Sequence, residues 1–157
     1  MSFDRAQGKA RHPRCAICKN VHYTYTREAT WRDLKRLAGK VRRSKAYQKR
    51  QIKNIYGIPS GGLIPAWVLG GLLNLPLIFD KAGIGPHTLV VDDIADSGKT
   101  LIILKPFHVA VLWYRPATCL IPCDELFWER LKSERLGWIE FFWETRKTTH
   151  LSVHKET

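Results

Sequence analysis

Apolar positions along the chain follow two rhythms. Trp31, Leu34, Leu37, Ala38 and Val41 recur at three- and four-residue intervals, which is the spacing of one helix face. Thr30 stands before them as a candidate N-cap, and the segment "TWRDLKRLAGKVRRSKAYQKRQIK" fills its other face with charge. Shorter runs read as strands: "VHYTYT" (21–26), "NIYGI" (54–58), "PLIF" (76–79), "TLVVD" (88–92) and "HVAVLWY" (108–114). Between them, "LIPAWVLGGLLN" (63–74) predicts a helix closed near Asn74, and another helix is expected from about Gly98. "DELFWERLKSERLG" (124–137) reads as helical, and "WIEFFWE" (138–144) closes the ordered part. Strands alternating with helices predict an α/β domain, a mainly parallel twisted sheet flanked by helices. Residues 1–20 form a basic N-terminal extension, 21–146 the α/β domain, and 147–157 a polar tail. There is no internal repeat and no low-complexity segment.

At 157 residues the chain has the length of one domain, able to build a core without disulfides. The N-terminal "MSFDRAQGKARHPRC" lacks the apolar stretch of a signal peptide. The uncharged run 54–79 is the best membrane candidate, but Pro59, Pro65, Pro76, Asn74 and several glycines suit a strand, turn, helix and strand better. A cytoplasmic protein without a membrane span is expected. Charge is uneven: sixteen Lys/Arg against three Asp/Glu up to Lys53, and ten against eleven beyond it. The basic third suggests an anionic partner, nucleic acid through segment 27–53 or a phosphorylated small molecule, or else a solvated basic helix.

The chemistry concentrates in "TLVVDDIADSGKT" (88–100). Its "SGKT" ending suggests a P-loop, but that motif needs glycine five residues before the Gly-Lys pair, where this chain has Asp93. A carboxylate there would repel the phosphates that backbone N–H groups must wrap. A different reading accounts for every residue. Asp92 and Asp93 at a strand end offer acceptors to a sugar diol and to oxygen-seeking Mg²⁺. The turn Ala95–Thr100 aims N–H groups and the Ser97 and Thr100 hydroxyls at one phosphate at a helix N-terminus. Diol carboxylates followed by a phosphate cradle describe a 5-phosphoribosyl group.

With these residues the chain resembles the type I phosphoribosyltransferases, whose hallmark is this signature after a strand. "GIPSGGLIP" (57–65) looks like the family's pyrophosphate loop, so Ser60, Gly61 and Gly62 would contact pyrophosphate through main chain. "TWRDLKRLAGKV" and "WIEFFWE" are similar to the bacterial xanthine-guanine (6-oxopurine) branch. The resemblance implies that Trp138 stacks on the base and that main-chain groups of Ile139 meet the purine edge. Arg115 would contact the 6-oxo group, where that branch usually has Lys; its planar fork is not a point-charge ammonium. The implied reaction transfers the 5-phosphoribosyl group of phosphoribosyl pyrophosphate (PRPP) to a purine nitrogen, with Mg²⁺ on the leaving pyrophosphate and an oxocarbenium-like transition state. Asp92 and Asp93 would hold the ribose hydroxyls, directly or through metal. Asp96 would act as general base or proton partner near purine N7, while Ala95, Ser97, Gly98, Lys99 and Thr100 grip the 5′-phosphate. A homo-oligomer is also expected.

Two departures from the family's pattern stand out. Ser60 sits where the pyrophosphate loop usually carries Arg or Lys. The long loop that closes over the family's site is replaced by "DKAGIGPH" (80–87), too short for such a lid. Lys81, His87 or a neighbouring subunit is left to compensate. The alternative is therefore a non-catalytic phosphoribosyl-binding or nucleic-acid-binding regulatory protein on the same fold. Cys15 and Cys18 form a CxxC, and Cys119 and Cys123 a second close pair. Together they could hold a structural Zn²⁺, with His12 or His22 as substitute ligands, or remain reduced thiols, or pair by oxidation.

Overall fold

The computed structural model describes residues 2–4, 9–11, 23–134 and 136–144. The chain divides into two compact units, Met1–Thr30 with Glu134–Thr157, and Trp31–Ser133.

The second unit is built on five strands, all paired in parallel: β4 (Asn54–Gly57), β5 (Leu77–Ile78), β6 (Thr88–Ala95), β7 (His108–Tyr114) and β8 (Phe127–Leu131). Their order is β5-β4-β6-β7-β8. Residues Leu89–Val91 and Val109–Tyr114 are buried without interruption, as expected of central parallel strands covered on both faces. From β4 the chain steps outward to β5, then returns across β4 to β6 and continues the other way. The strand order therefore reverses between β4 and β6, which is where open α/β sheets leave a crevice beyond their strand ends.

Helix α1 (Arg27–Arg43) begins earlier than the spacing of apolar residues suggests. Thr26, not Thr30, caps it, accepting the Ala29 N–H at 3.2 Å. Thr30 lies inside the first turn, buried, its hydroxyl donating to Thr26 O. Ser44 then breaks the basic stretch and caps a short second helix, α2 (Lys45–Gln48), by accepting from Tyr47 N. Helix α3 (Leu63–Leu73) ends as expected, with Asn74 in the left-handed conformation at φ 53°. Helix α4 (Lys99–Leu104) is short, six residues and fewer than two turns.

The segment 124–137 is not a helix: it supplies edge strand β8. Its apolar residues fit helical spacing, but tertiary partners decide otherwise. Val111 pairs with Trp128 and Trp113 with Arg130 across the β7–β8 ladder. The charges of β8 then meet α1. Asp33, fully buried, takes the Arg130 guanidinium and also has Arg32 at 3.2 Å and Arg36 at 3.7 Å. Glu129 lies 2.8 Å from Lys40, whose ammonium sits over the Trp128 ring. A strand rich in charge thus belongs here because a basic helix covers it.

In the first unit, β3 (Tyr23–Tyr25) pairs in parallel with β9 (Ile139–Phe141), and the Tyr25 and Phe141 rings meet edge to face at 5.6 Å. Phe141 stacks on Trp143. Within the basic extension, β1 (Ser2–Asp4) and β2 (Lys9–Arg11) form an antiparallel pair, which the sequence pattern does not announce.

The Asp33 contacts generate a stability prediction. Asp33→Ala leaves Arg130 without its carboxylate and should cost about 2–4 kcal/mol. Lys40→Ala, at a more exposed pair, should cost under about 1 kcal/mol. Urea titration should show a lowered midpoint with unchanged slope, and a loss below about 0.5 kcal/mol for Asp33→Ala would refute the structural role.

Candidate functional site

The crevice between β4 and β6 is walled by the loop 58–62. Ile58 N donates to Val91 O at 2.9 Å, and Gly62 N closes the turn on Ile58 O at 2.8 Å. This loop tolerates no side chains on its inner side. A Cβ on Gly62 would stand 2.3 Å from Val91 O, and one on Gly61 2.1 Å from Asp93 Oδ2. Glycine is required here because bare backbone lies directly against the Asp93 carboxyl group. The Pro59–Ser60 peptide is cis.

Asp92 and Asp93 stand near the end of β6, each with one oxygen tied to the next main-chain N–H. Asp93 N donates to Asp92 Oδ1 at 2.9 Å and Ile94 N to Asp93 Oδ1 at 2.7 Å. Among the described residues neither pairs with a Lys or Arg. Burial, and then the charge of Asp93, pushes the Asp92 carboxyl up to about 8. Burial also raises Asp93, partly offset by its hydrogen bonds. Two adjacent acids withdrawn from water without a cation each hold their protons more tightly than an exposed carboxyl group does.

Beyond Ala95 the turn encloses a cavity of about 90 Å³, lined by Asp92 and residues 94–101. Gly98 makes this turn in the left-handed region at φ 73°, and its backbone packs so close that a Cβ would lie 3.0 Å from Cys119 Sγ. Ser97 Oγ accepts from Lys99 N at 3.4 Å. Because α4 is so short, an anion in this cavity would be held by turn N–H groups, hydroxyls and Lys99 rather than by a long helix dipole. The following loop buttresses the turn, with Leu120 N on Ser97 O at 3.1 Å and the Thr118 hydroxyl on Asp96 O at 2.7 Å.

Asp96 is half exposed and accepts from Arg115 Nη1 at 3.0 Å and from Thr118 Oγ1 at 3.3 Å. Arg115 Nε is buried and has no hydrogen-bond partner. Lys132 is a residue the sequence pattern missed. Its N–H donates to Tyr114 O at 2.8 Å, and the residue is only 8% exposed. Burial lowers its ammonium pKa, opposed by the charge of Asp96 and assisted by that of Arg115. No local signal marks it: a lysine in an apparent helix reads as solvated.

The second unit therefore assembles Ser60–Gly62, Asp92, Asp93, Ala95–Thr100 and Arg115 at one end of the sheet. Trp138 and Ile139 belong to the first unit, where Trp138 O accepts from Tyr23 N and Ile139 is buried opposite Tyr23. Trp138 is half exposed. Cys119 and Cys123 are free thiols, whereas Cys15, Cys18, His12 and His22 lie outside the described residues. The described residues hold no group of three or more His, Cys, Asp or Glu placed to bind a metal. The connection between β5 and β6 is a single 3₁₀ turn at Lys81–Gly83, capped by Asp80, which accepts from Ala82 N. Among the described residues no helix is long and apolar enough to cross a membrane.

No protein-family model and no curated protein sequence matches the chain. Solved structures do. A purine phosphoribosyltransferase from Pyrococcus horikoshii aligns over 79% of this chain and 94% of its own, with 28% identity and a TM-score of 0.59. The xanthine-guanine-hypoxanthine phosphoribosyltransferase of Helicobacter pylori aligns over 85% of this chain and all of its own, at 20% identity and a TM-score of 0.61. A hypoxanthine-guanine phosphoribosyltransferase from Leishmania tarentolae, solved with GMP, covers 68% of this chain and 79% of its own, at 18% identity and a TM-score of 0.54. The parallel sheet with its flanking helices is the type I phosphoribosyltransferase fold.

Proposed function

We propose that the protein is a purine phosphoribosyltransferase that moves the 5-phosphoribosyl group of PRPP to a 6-oxopurine and releases pyrophosphate. The observation that carries this reading is the contact between the Asp93 carboxyl group and the bare backbone of Gly61, with the small turn cavity immediately beyond Asp92. A loop for a diphosphate, carboxylates for a ribose diol and a cradle for one phosphate follow each other in the order PRPP presents those groups. The solved relatives named for purine transfer support the same substrate class.

The residues then act as follows. Main-chain groups of Ser60–Gly62 bind the pyrophosphate, and the turn Ala95–Thr100 binds the 5′-phosphate, together fixing C1 of the ribose for attack. Asp92 and Asp93 hold the ribose hydroxyls. Their paired, half-satisfied oxygens and raised affinity for protons also suit a hard divalent cation, so these two residues would hold Mg²⁺. Bound there, Mg²⁺ supplies charge neutralisation for the departing pyrophosphate. The C1–oxygen bond breaks with its electron pair leaving on pyrophosphate, the purine nitrogen bonds to C1, and the proton lost by the purine passes to Asp96. Arg115 holds Asp96 at 3.0 Å and retains a buried, unpartnered Nε. Two cationic side chains, Arg115 and Lys132, in the field of Asp96 favour a purine whose 6-position accepts hydrogen bonds over one whose 6-amino group donates them.

Turnover is tested with PRPP, Mg²⁺ and each of guanine, xanthine, hypoxanthine and adenine, reading the nucleotide by mass spectrometry. An oxopurine nucleotide is expected, and Asp96→Asn should lower kcat about 10²–10³-fold with little change in PRPP affinity. Nucleotide binding without product from any base would show that the site binds but does not transfer.

The Asp92 shift gives a pH prediction. A carboxyl group whose folded pKa lies above its unfolded value makes the native state bind more protons between the two. The stability it contributes is therefore complete below about pH 4 and is lost as pH rises through about 8. Without metal or substrate, the Tm of Asp92→Asn minus that of the native sequence should grow as pH rises from 5 to 9. With Mg²⁺ and a purine 5′-monophosphate, the native protein should bind more tightly over the same rise. A flat Tm difference would mean that Asp92 is not buried against a second acid.

A further inference from the structure

The N-terminal ends of the strands, opposite the aspartate site, carry two clefts that share a wall. One, of about 730 Å³, is lined by Trp31, Trp67, Leu72 and Pro76, together with Asn74 and Leu75. The other, of about 720 Å³, is lined by Arg42, Tyr47, Gln48, Arg50 and Lys53, with the same Asn74 and Leu75. We propose that the two form one groove that binds single-stranded nucleic acid, its bases on Trp31 and Trp67 and its phosphates on Arg42, Arg50 and Lys53. This proposal does not rest on the phosphoribosyl reading.

Three observations support it. Trp67 is 68% exposed and Trp31 37%, although indole rings normally bury themselves. Both flank the groove, where an unstacked base can cover a free ring face. Second, only part of the charge has an internal partner: Arg32 and Arg36 meet Asp33, and Lys40 meets Glu129. Between Trp31 and Lys53 there are ten Lys/Arg and one acid, Asp33, which is buried and already engaged by Arg130, Arg32 and Arg36. Lys45, Lys49, Arg50 and Lys53 make no ion pair among the described residues. Third, the groove walls are fixed in place: the Tyr47 hydroxyl donates to Leu73 O at 2.7 Å, and Arg42 Nη2 donates to Leu72 O, leaving its other nitrogens for a phosphate.

The alternative occupant, a second copy of the chain, fits less well. A two-fold interface on this face would set Arg42, Arg50 and Lys53 close to their own images, and like charges so placed repel. A duplex also fits poorly, because its bases are already stacked and cannot cover the indoles.

The test uses fluorescein-labelled 12-mers of oligo(dT) and oligo(U), followed by anisotropy across a salt series; binding of either supports the groove, and their ratio separates DNA from RNA. Three phosphate contacts predict a slope of log K against log salt of about −2. Trp67→Ala should weaken binding about tenfold or more, and Trp67→Phe should restore most of it. Replacing Arg42, Arg50 and Lys53 together by Gln should flatten the salt slope. Asp92→Asn should change neither, which separates this site from the aspartate site. The proposal is overturned if a 12-bp duplex binds as tightly as the single strands, or if Trp67→Ala, folded by its Tm, binds like the native protein. A dimer in sedimentation that Trp67→Asp dissociates and oligonucleotide does not would equally overturn it and assign the face to a second copy.

Discussion

Two adjacent carboxyl groups, withdrawn from water and without a positive partner among the described residues, govern this structure. Asp92 and Asp93 sit at the one place where the strand order reverses, and each keeps an oxygen free of main-chain hydrogen bonds. The contrast with Asp33 shows what that means. Asp33 is buried more completely, yet three arginines surround it, so its charge is satisfied within the fold. The aspartate pair has no such internal answer among the described residues. A structural acid brings its cation with it, whereas an acid pair without one fits the binding role proposed for it.

The neighbouring loop follows from the same constraint. Only glycine lets backbone come as near as Gly61 does to Asp93, so the loop lies directly against the pair. Gly57 and Gly62 serve the approach from behind. A Cβ on Gly57 would lie 2.6 Å from Gly62 O, so the loop can fold back over β4 only with both positions bare. The turn after Ala95 is set by the same logic, with Gly98 left-handed and pressed on Cys119.

What the sequence discloses is what local chemistry decides. β6, β7, the glycine loop and the aspartate turn are legible because buried parallel strands are continuously apolar and tight turns demand particular residues. β8 is not legible, because "FWERL" becomes a strand only through its ladder with β7 and the basic helix over its charges. Lys132 goes unseen for the same reason: its burial is created by a strand assignment the pattern does not give. The cap at Thr26 is hidden for a smaller one, since Thr26 and Thr30 are equally good capping residues four positions apart.

The net charge of +12 raises a further question, because so positive a molecule should hold every carboxyl group ionised. Geometry resolves it. Helix α3 leaves the glycine loop at Leu63 and reaches the basic groove at Leu73, and eleven residues of helix span about 16 Å. At physiological salt, exposed charges are screened over about 8 Å. Arg42, Arg50 and Lys53, at the far end of that helix, are therefore too screened by solvent to drive the protons off Asp92 and Asp93, while burial acts on that pair at contact range. Packing keeps the separation fixed: a Cβ on Gly57 would meet Ala66 at 2.8 Å, so α3 has no room to slide along the sheet. One rigid helix thus holds a proton-hungry site and a cationic surface apart, and neither set of charges cancels the other.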